Sequence, residues 1–229
     1  MYFPYMYGAP IEFIILIPAI LFAMYAQAKV KGTFNKYLKV QNRSGYTGAQ
    51  VARMILDKNG LHDVRIEHIR GNLTDHYDPR TRVLRLSTPV HNGRSVASAG
   101  VAAHEVGHAI QHAKGYFPLM LRNNIAPIAN FGSRFVWILV FAGFIFNSVL
   151  IQVGILLYLA VVAFQIVTLP VEFNASSRAL AQLEGGIITR EEIKPAKKVL
   201  SAAALTYVAA TLVGIAQLIR LILLSNRRD

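Results

Sequence analysis

Val101-Ala102-Ala103-His104-Glu105-Val106-Gly107-His108-Ala109-Ile110-Gln111 is the stretch on which the reading of the whole chain turns. His104 and His108 are four residues apart. On a helix that spacing sends both imidazoles from one face, about one turn apart. Two nitrogens can then reach a single zinc ion at ~2.0–2.1 Å. Glu105 is turned from the first ligand by roughly 100° of helical rotation. There it can activate a zinc-bound water without filling a coordination position, which is the division of labour in a His-Glu-x-x-His pattern. A helix that carries two surface histidines by chance is the plainer alternative. Ala97, Ala99, Gly100, Ala102, Ala103 and Gly107 weigh against it. Residues this small let a helix pack closely on other backbone and enclose the polar triplet, whose burial without a purpose would be costly.

Outward from the motif, the pattern predicts a helix over residues 95–114, with Gly115 placed to end it. Upstream, Thr47-Gly48-Ala49-Gln50 opens another helix, with Val51, Met54 and Ile55 on one face and Gly60 at its end. Val64-Arg65-Ile66-Glu67-His68-Ile69 alternates with period two, and Val83-Leu84-Arg85-Leu86 does so less cleanly. Asp78-Pro79-Arg80 reads as a turn between them. Residues 29–130 therefore form an α+β polar region built around the motif helix.

The remainder is apolar. Of 229 residues, 54% are apolar and 16% charged, against about 45–50% and about 25% in ordinary soluble domains. So few charges cannot cover a water-soluble globule of this size. Residues 10–28, 132–170 and 201–225 supply apolar runs, and a crossing needs ~20 residues. The middle run is long enough for two crossings, with Asn147-Ser148 and Gln152 marking a hairpin between them. Residues 171–200 are a polar segment in which Thr189 and Glu192 have capping-box spacing. Four transmembrane helices are expected.

No basic residue precedes the first run, whereas Lys29, Lys31, Lys36, Lys39 and Arg43 follow it. This favours a retained helix over a cleaved signal, with the amino terminus outside and the polar region in the cytosol. Arg227 and Arg228 then fall on the disfavoured side, a conflict that a tilted last helix with a snorkelling Arg220 would remove. The net charge of +12 flanks apolar segments and forms no aromatic-interleaved patch. Its expected partner is the lipid bilayer and not nucleic acid. The chain has no cysteine, which excludes thiolate ligands, disulfides and a cysteine nucleophile.

Zinc needs a third protein ligand. His112 continues the row of His104 and His108, and three ligands in one straight row cannot wrap a tetrahedron, so a supporting or surface role suits it better. Glu172, in Leu169-Pro170-Val171-Glu172-Phe173-Asn174-Ala175-Ser176, is the other candidate. By spacing alone it reads equally well as a ligand or as an interfacial glutamate paired with a base.

The motif stretch, the Glu172 stretch and Asn72-Leu73-Thr74-Asp75-His76-Tyr77-Asp78-Pro79-Arg80 together closely resemble the YugP-like neutral zinc metallopeptidases of bacterial membranes. More distantly the chain is similar to HtpX and the CAAX prenyl proteases. The resemblance covers essentially the whole chain. It implies Glu172 as third ligand of a gluzincin-type site, one zinc ion per chain, and a zincin-like fold for the cytosolic portion. It also implies that the strand Arg82, Val83, Leu84, Arg85, Leu86 is an edge on which an extended substrate pairs, although an interior strand fits the same residues. Ser176 stands where the distant relatives carry an aspartate that supports a zinc histidine. A serine can hydrogen-bond there but brings no charge.

The expected activity is that of a membrane-embedded zinc endopeptidase acting on membrane or membrane-adjacent proteins, with Glu105 as general base. Arg178, His91 and Tyr77 are candidate oxyanion donors, while Tyr77 and His76 also read as residues of the proline turn. A zinc-stabilised scaffold or adaptor without activity is the alternative. An intramembrane site of another class would need an Asn-Pro-containing loop, which the sequence lacks, and the motif helix is flanked by Arg94 and Lys114.

Overall fold

The computed structural model describes residues 14–226. Residues 10–13 of the first expected crossing, with Arg227 and Arg228, lie outside the described residues. The chain runs α1 (Leu16–Leu38), α2 (Gly48–Lys58), β1 (Arg65–Ile69), β2 (His76–Asp78), β3 (Val83–Ser87), α3 (Thr88–His91), α4 (Val96–Ala113), α5 (Phe117–Ile145), α6 (Val149–Glu184) and α7 (Arg190–Asn226). The described residues divide into two compact units, one of residues 26–121 and 168–206, the other of residues 14–25, 122–167 and 207–226.

The first unit holds the polar region. Thr47 caps α2: its hydroxyl accepts from the Gln50 N–H while the Gln50 side chain accepts from the Thr47 N–H. This reciprocal box satisfies two of the donors a helix start leaves unpaired. Val51, Ala52, Ile55 and Leu56 face the core and are fully buried, whereas Met54 is exposed. The apolar stripe is thus rotated by one residue from the one expected. Ser95 caps α4, its hydroxyl accepting from the Ser98 N–H. The core is filled by Phe34 of α1, Leu84 and Leu86 of β3, Val106 of α4, Leu183 of α6 and Val199 of α7, among others.

The sheet corrects two expectations. Its order is β1-β3-β2, with β1 parallel and β2 antiparallel to β3. Arg85, for example, faces Glu67 on one side and His76 on the other. The stretch Arg82–Leu86 is therefore no substrate edge, because the strand it forms is central. Arg82 stands just before the strand in a left-handed turn (φ 52°), its side chain on Asp63. The second correction is that His76 and Tyr77 belong to β2 rather than to the proline turn. That turn begins at Asp78, whose carboxylate accepts from the Arg80 N–H and the Thr81 hydroxyl. Three residues of strand flanked by polar ones are too short to show a period.

The start of α7 is stitched to the loop after α1 by one side chain. Glu192 is buried, and its carboxylate accepts from the Thr189 N–H at 2.7 Å and from the Arg43 N–H at 2.7 Å.

The second unit is apolar. Among the described residues three helices, α5, α6 and α7, are long and apolar enough to cross a membrane. They leave large side chains such as Ile138, Phe141 and Leu156 more than 60% exposed, an arrangement suited to lipid rather than water. The hairpin falls where the sequence places it, with Asn147 Oδ1 capping α6 on the Val149 N–H. Within the unit, Gly132 of α5 passes so close to α6 that a Cβ would lie 2.9 Å from the Leu157 carbonyl. α1 is not one of the three helices, and it extends ten residues beyond the segment expected to cross.

Truncating Glu192 to alanine removes the charged acceptor of two part-buried backbone N–H groups. We expect it to lower the unfolding free energy by about 1–3 kcal/mol, measured by denaturant titration of the detergent-solubilised protein. A change within error would show that this stitch is dispensable.

Candidate metal centre

His104 and His108 leave α4 side by side, ring centroids 4.8 Å apart and nearly perpendicular. Glu172 approaches from α6. Its Oε2 lies 3.2 Å from His104 Nε2 and 3.6 Å from His108 Nε2. One ligand atom from each residue falls within 4.8 Å of the others. Such convergence of residues 64 or more positions apart depends on how closely α4 and α6 pack. Gly107 makes that possible: a Cβ there would sit 2.6 Å from the Ala175 carbonyl oxygen. Ala175 lies three residues beyond Glu172, on the same face of α6.

Hydrogen bonding fixes which nitrogens point inward. Gln111, fully buried, donates its amide to the Val171 carbonyl at 2.8 Å and to Asn174 Oδ1 at 3.0 Å. A backbone carbonyl only accepts, so the Gln111 amide can be oriented one way only. Its Oε1 then faces His108 Nδ1 at 3.0 Å and must receive a proton from it. His108 is thereby held as the Nδ1–H tautomer with the Nε2 lone pair free towards Glu172. On His104 the corresponding contact is Nδ1 to Ser176 Oγ at 3.1 Å. Two imidazole Nε2 atoms and one carboxylate, gathered together with the outer Nδ1 atoms engaged, are a donor set that suits zinc.

Glu105 is buried (8% exposed) on the same helix. Burial first, then the nearby Glu172 and Asp75 carboxylates, push its carboxyl up to about 7, against the opposing pull of His104 and of the Tyr77 backbone. The Tyr77 hydroxyl hydrogen-bonds His112 Nδ1 at 3.0 Å. Asp75 ties down the start of β2 by accepting the Ser87 N–H at 2.7 Å and its hydroxyl at 2.9 Å. Its own carboxyl is pushed up by burial.

The structure thus brings together His104, Glu105, His108, Glu172, Ser176 and Tyr77, with His112 attached through Tyr77. It turns two other candidates elsewhere. His91 stacks edge-on with His68 and bonds Asn92. Arg178 donates to Asn174 Oδ1 at 2.7 Å and lies over the Tyr116 ring. Gln111, Asn174 and Asp75 were not singled out in the sequence reading. A signal was available for Gln111: a polar residue three positions after a ligand, on the same buried helix face.

The family described as "Putative neutral zinc metallopeptidase" matches residues 12–226. The chain is also 52% identical to "Putative membrane protease YugP" of Bacillus subtilis (strain 168), over 93% of this chain and 96% of that protein. No solved structure gives a significant match. With the three apolar helices, this likeness associates the chain with a membrane.

Replacing Gln111 with leucine keeps the volume roughly constant and removes the acceptor that holds the His108 tautomer. Zinc affinity should fall about 10–100-fold, read by competition against a fluorescent chelator. An unchanged affinity would mean that Gln111 does not orient the ligand.

Proposed function

The chain belongs to this family of zinc metallopeptidases, and on that footing we propose that it is a gluzincin-type endopeptidase binding one zinc ion through His104, His108 and Glu172. The reading rests on one observation above all: both histidine Nε2 atoms face the Glu172 carboxylate while their Nδ1 atoms are engaged by Gln111 and Ser176. When bound, zinc supplies a Lewis acid that polarises a carbonyl and acidifies water.

The chain's own residues do the rest. Glu105 takes the proton of the attacking water and later delivers it to the departing amine. A carboxyl raised to about 7 is suited to accept and release a proton near neutrality. Burial of the site excludes bulk water, which strengthens each electrostatic contact inside it.

The substrates we propose are membrane or membrane-adjacent proteins, which a site carried beside apolar helices would meet. We assign the chain four crossings, the amino terminus outside and the site on the cytosolic face. α1 supports the first crossing by exposing Ile17, Leu21 and Met24. The lysines that follow support the orientation.

Two substitutions test the assignment. Glu105→Gln should reduce cleavage of a peptide library by about 10²–10⁴-fold with zinc content kept at one per chain. Glu172→Gln should lose zinc as well as activity, measured by elemental analysis. A Glu105→Gln variant as active as the parent would remove the general-base role. A zinc-loaded parent inert towards every peptide would favour a structural metal in a membrane scaffold.

A further inference from the structure

Away from the metal centre, a groove of about 770 Å³ is lined by one face of α1 and one of α7, a size typical of small-ligand sites, which run ~300–1,000 Å³. Five lysines line it: Lys29 and Lys36 from α1, and Lys194, Lys197 and Lys198 from α7. Their spacing is that of single helix faces. No carboxylate lines the groove. The two acids nearest in the α7 sequence are engaged elsewhere, Glu191 with Arg43 and Glu192 with the Thr189 and Arg43 N–H groups. Five like charges around one cavity repel one another unless an anion joins them. The hydroxyls of Thr33 and Ser201 add two neutral donors.

We propose that this groove binds the phosphate of an anionic phospholipid. Lysine ammonium groups are flexible point charges suited to phosphate oxygens. The ligand is a lipid because the same lining includes Ala28, Ala202 and Leu205. These are the residues at which each helix changes character, α1 from apolar to basic and α7 from basic to apolar. A headgroup would meet the ammonium groups while its glycerol and first methylenes lie along these residues and the lysine stems. Gly32 leaves the room: a Cβ at this position meets nothing within 4 Å. The inference is independent of the zinc reading, since no residue of the metal centre lines the groove.

The test uses the full chain in a non-ionic detergent, titrated with short-chain phosphatidylglycerol, short-chain phosphatidylcholine and inorganic phosphate. Thermal unfolding and equilibrium binding are followed. Phosphatidylglycerol should raise Tm and saturate, while phosphatidylcholine should do neither. Lys194→Gln/Lys197→Gln/Lys198→Gln should weaken the binding about a hundredfold, taking the contribution of each lysine near an anionic lipid surface. Gly32→Glu places a carboxylate in the open space and improves helix propensity. It should abolish the Tm shift without unfolding the protein. Removing three exposed arginines elsewhere (Arg65→Gln/Arg70→Gln/Arg80→Gln) should leave the affinity within about twofold, the effect expected of distant surface charges screened by salt.

Equal responses from all variants, or from both lipids, would overturn the proposal by reducing it to general charge attraction or detergent exchange. Inorganic phosphate that saturates the site as tightly as the lipid would overturn the lipid assignment and leave a soluble phosphate ester as the ligand.

Discussion

The metal centre depends on one steric fact: the backbone of α4 at Gly107 comes so near to α6 at Ala175 that a single methyl group would collide with a carbonyl at 2.6 Å. A helix pair with ordinary side chains at the contact keeps its axes 8–10 Å apart. Glutamate is short, and its carboxylate reaches both imidazoles only if its own helix lies close. The glycine between the two histidines is therefore part of the geometry of the site, although it carries no donor atom. Alanine at position 107 would be a mild change in composition and a large one in the placement of Glu172.

The second constraint is electrical. Gln111 acts as a relay of hydrogen-bond polarity: the Val171 carbonyl sets the amide, the amide sets the His108 proton, and the proton leaves the opposite nitrogen bare. Asn174 extends the chain to Arg178. Every member is satisfied from the one before, so the network gains the rigidity of a fully connected polar core instead of the penalty of a partly satisfied one. Arg178, a candidate for stabilising an oxyanion on sequence grounds, is better understood as the outer end of this relay.

Helix periodicity and the His-Glu-x-x-His spacing made α2, α4, the hairpin at Asn147 and the two histidines legible, because each is a local property of a few turns. Glu172 was an even choice on spacing, tipped towards ligation by resemblance, and Ser176 was reached through resemblance alone. Nothing in the spacing of residues 104 and 172 says that α6 will pass beside α4. The order of the sheet was equally hidden: β2 has three residues and no pattern, yet its insertion makes β3 central and places Tyr77 against Glu105. Long-range pairings of short strands are decided by the packing of everything around them. Gln111 was visible as a residue and illegible as a function, since its role exists only once α6 supplies the Val171 carbonyl.

Serine at position 176 fits the charge balance of the site. Glu105, Glu172 and Asp75 lie close enough that the other two raise the Glu105 carboxyl, in a chain with only 12 acidic residues in all. The His104 and His108 imidazoles oppose part of this charge. A divalent cation at the proposed site would offset more of it and make burial of the carboxylates tolerable. An aspartate behind His104 would add a further negative charge and raise the basicity of the imidazole, binding the metal more tightly. The neutral Ser176 hydroxyl orients the ring without that gain. Metal retention at the proposed site would then depend more on enclosure by α4 and α6 than on the strength of the individual donors, which returns the burden to the close helix contact at Gly107.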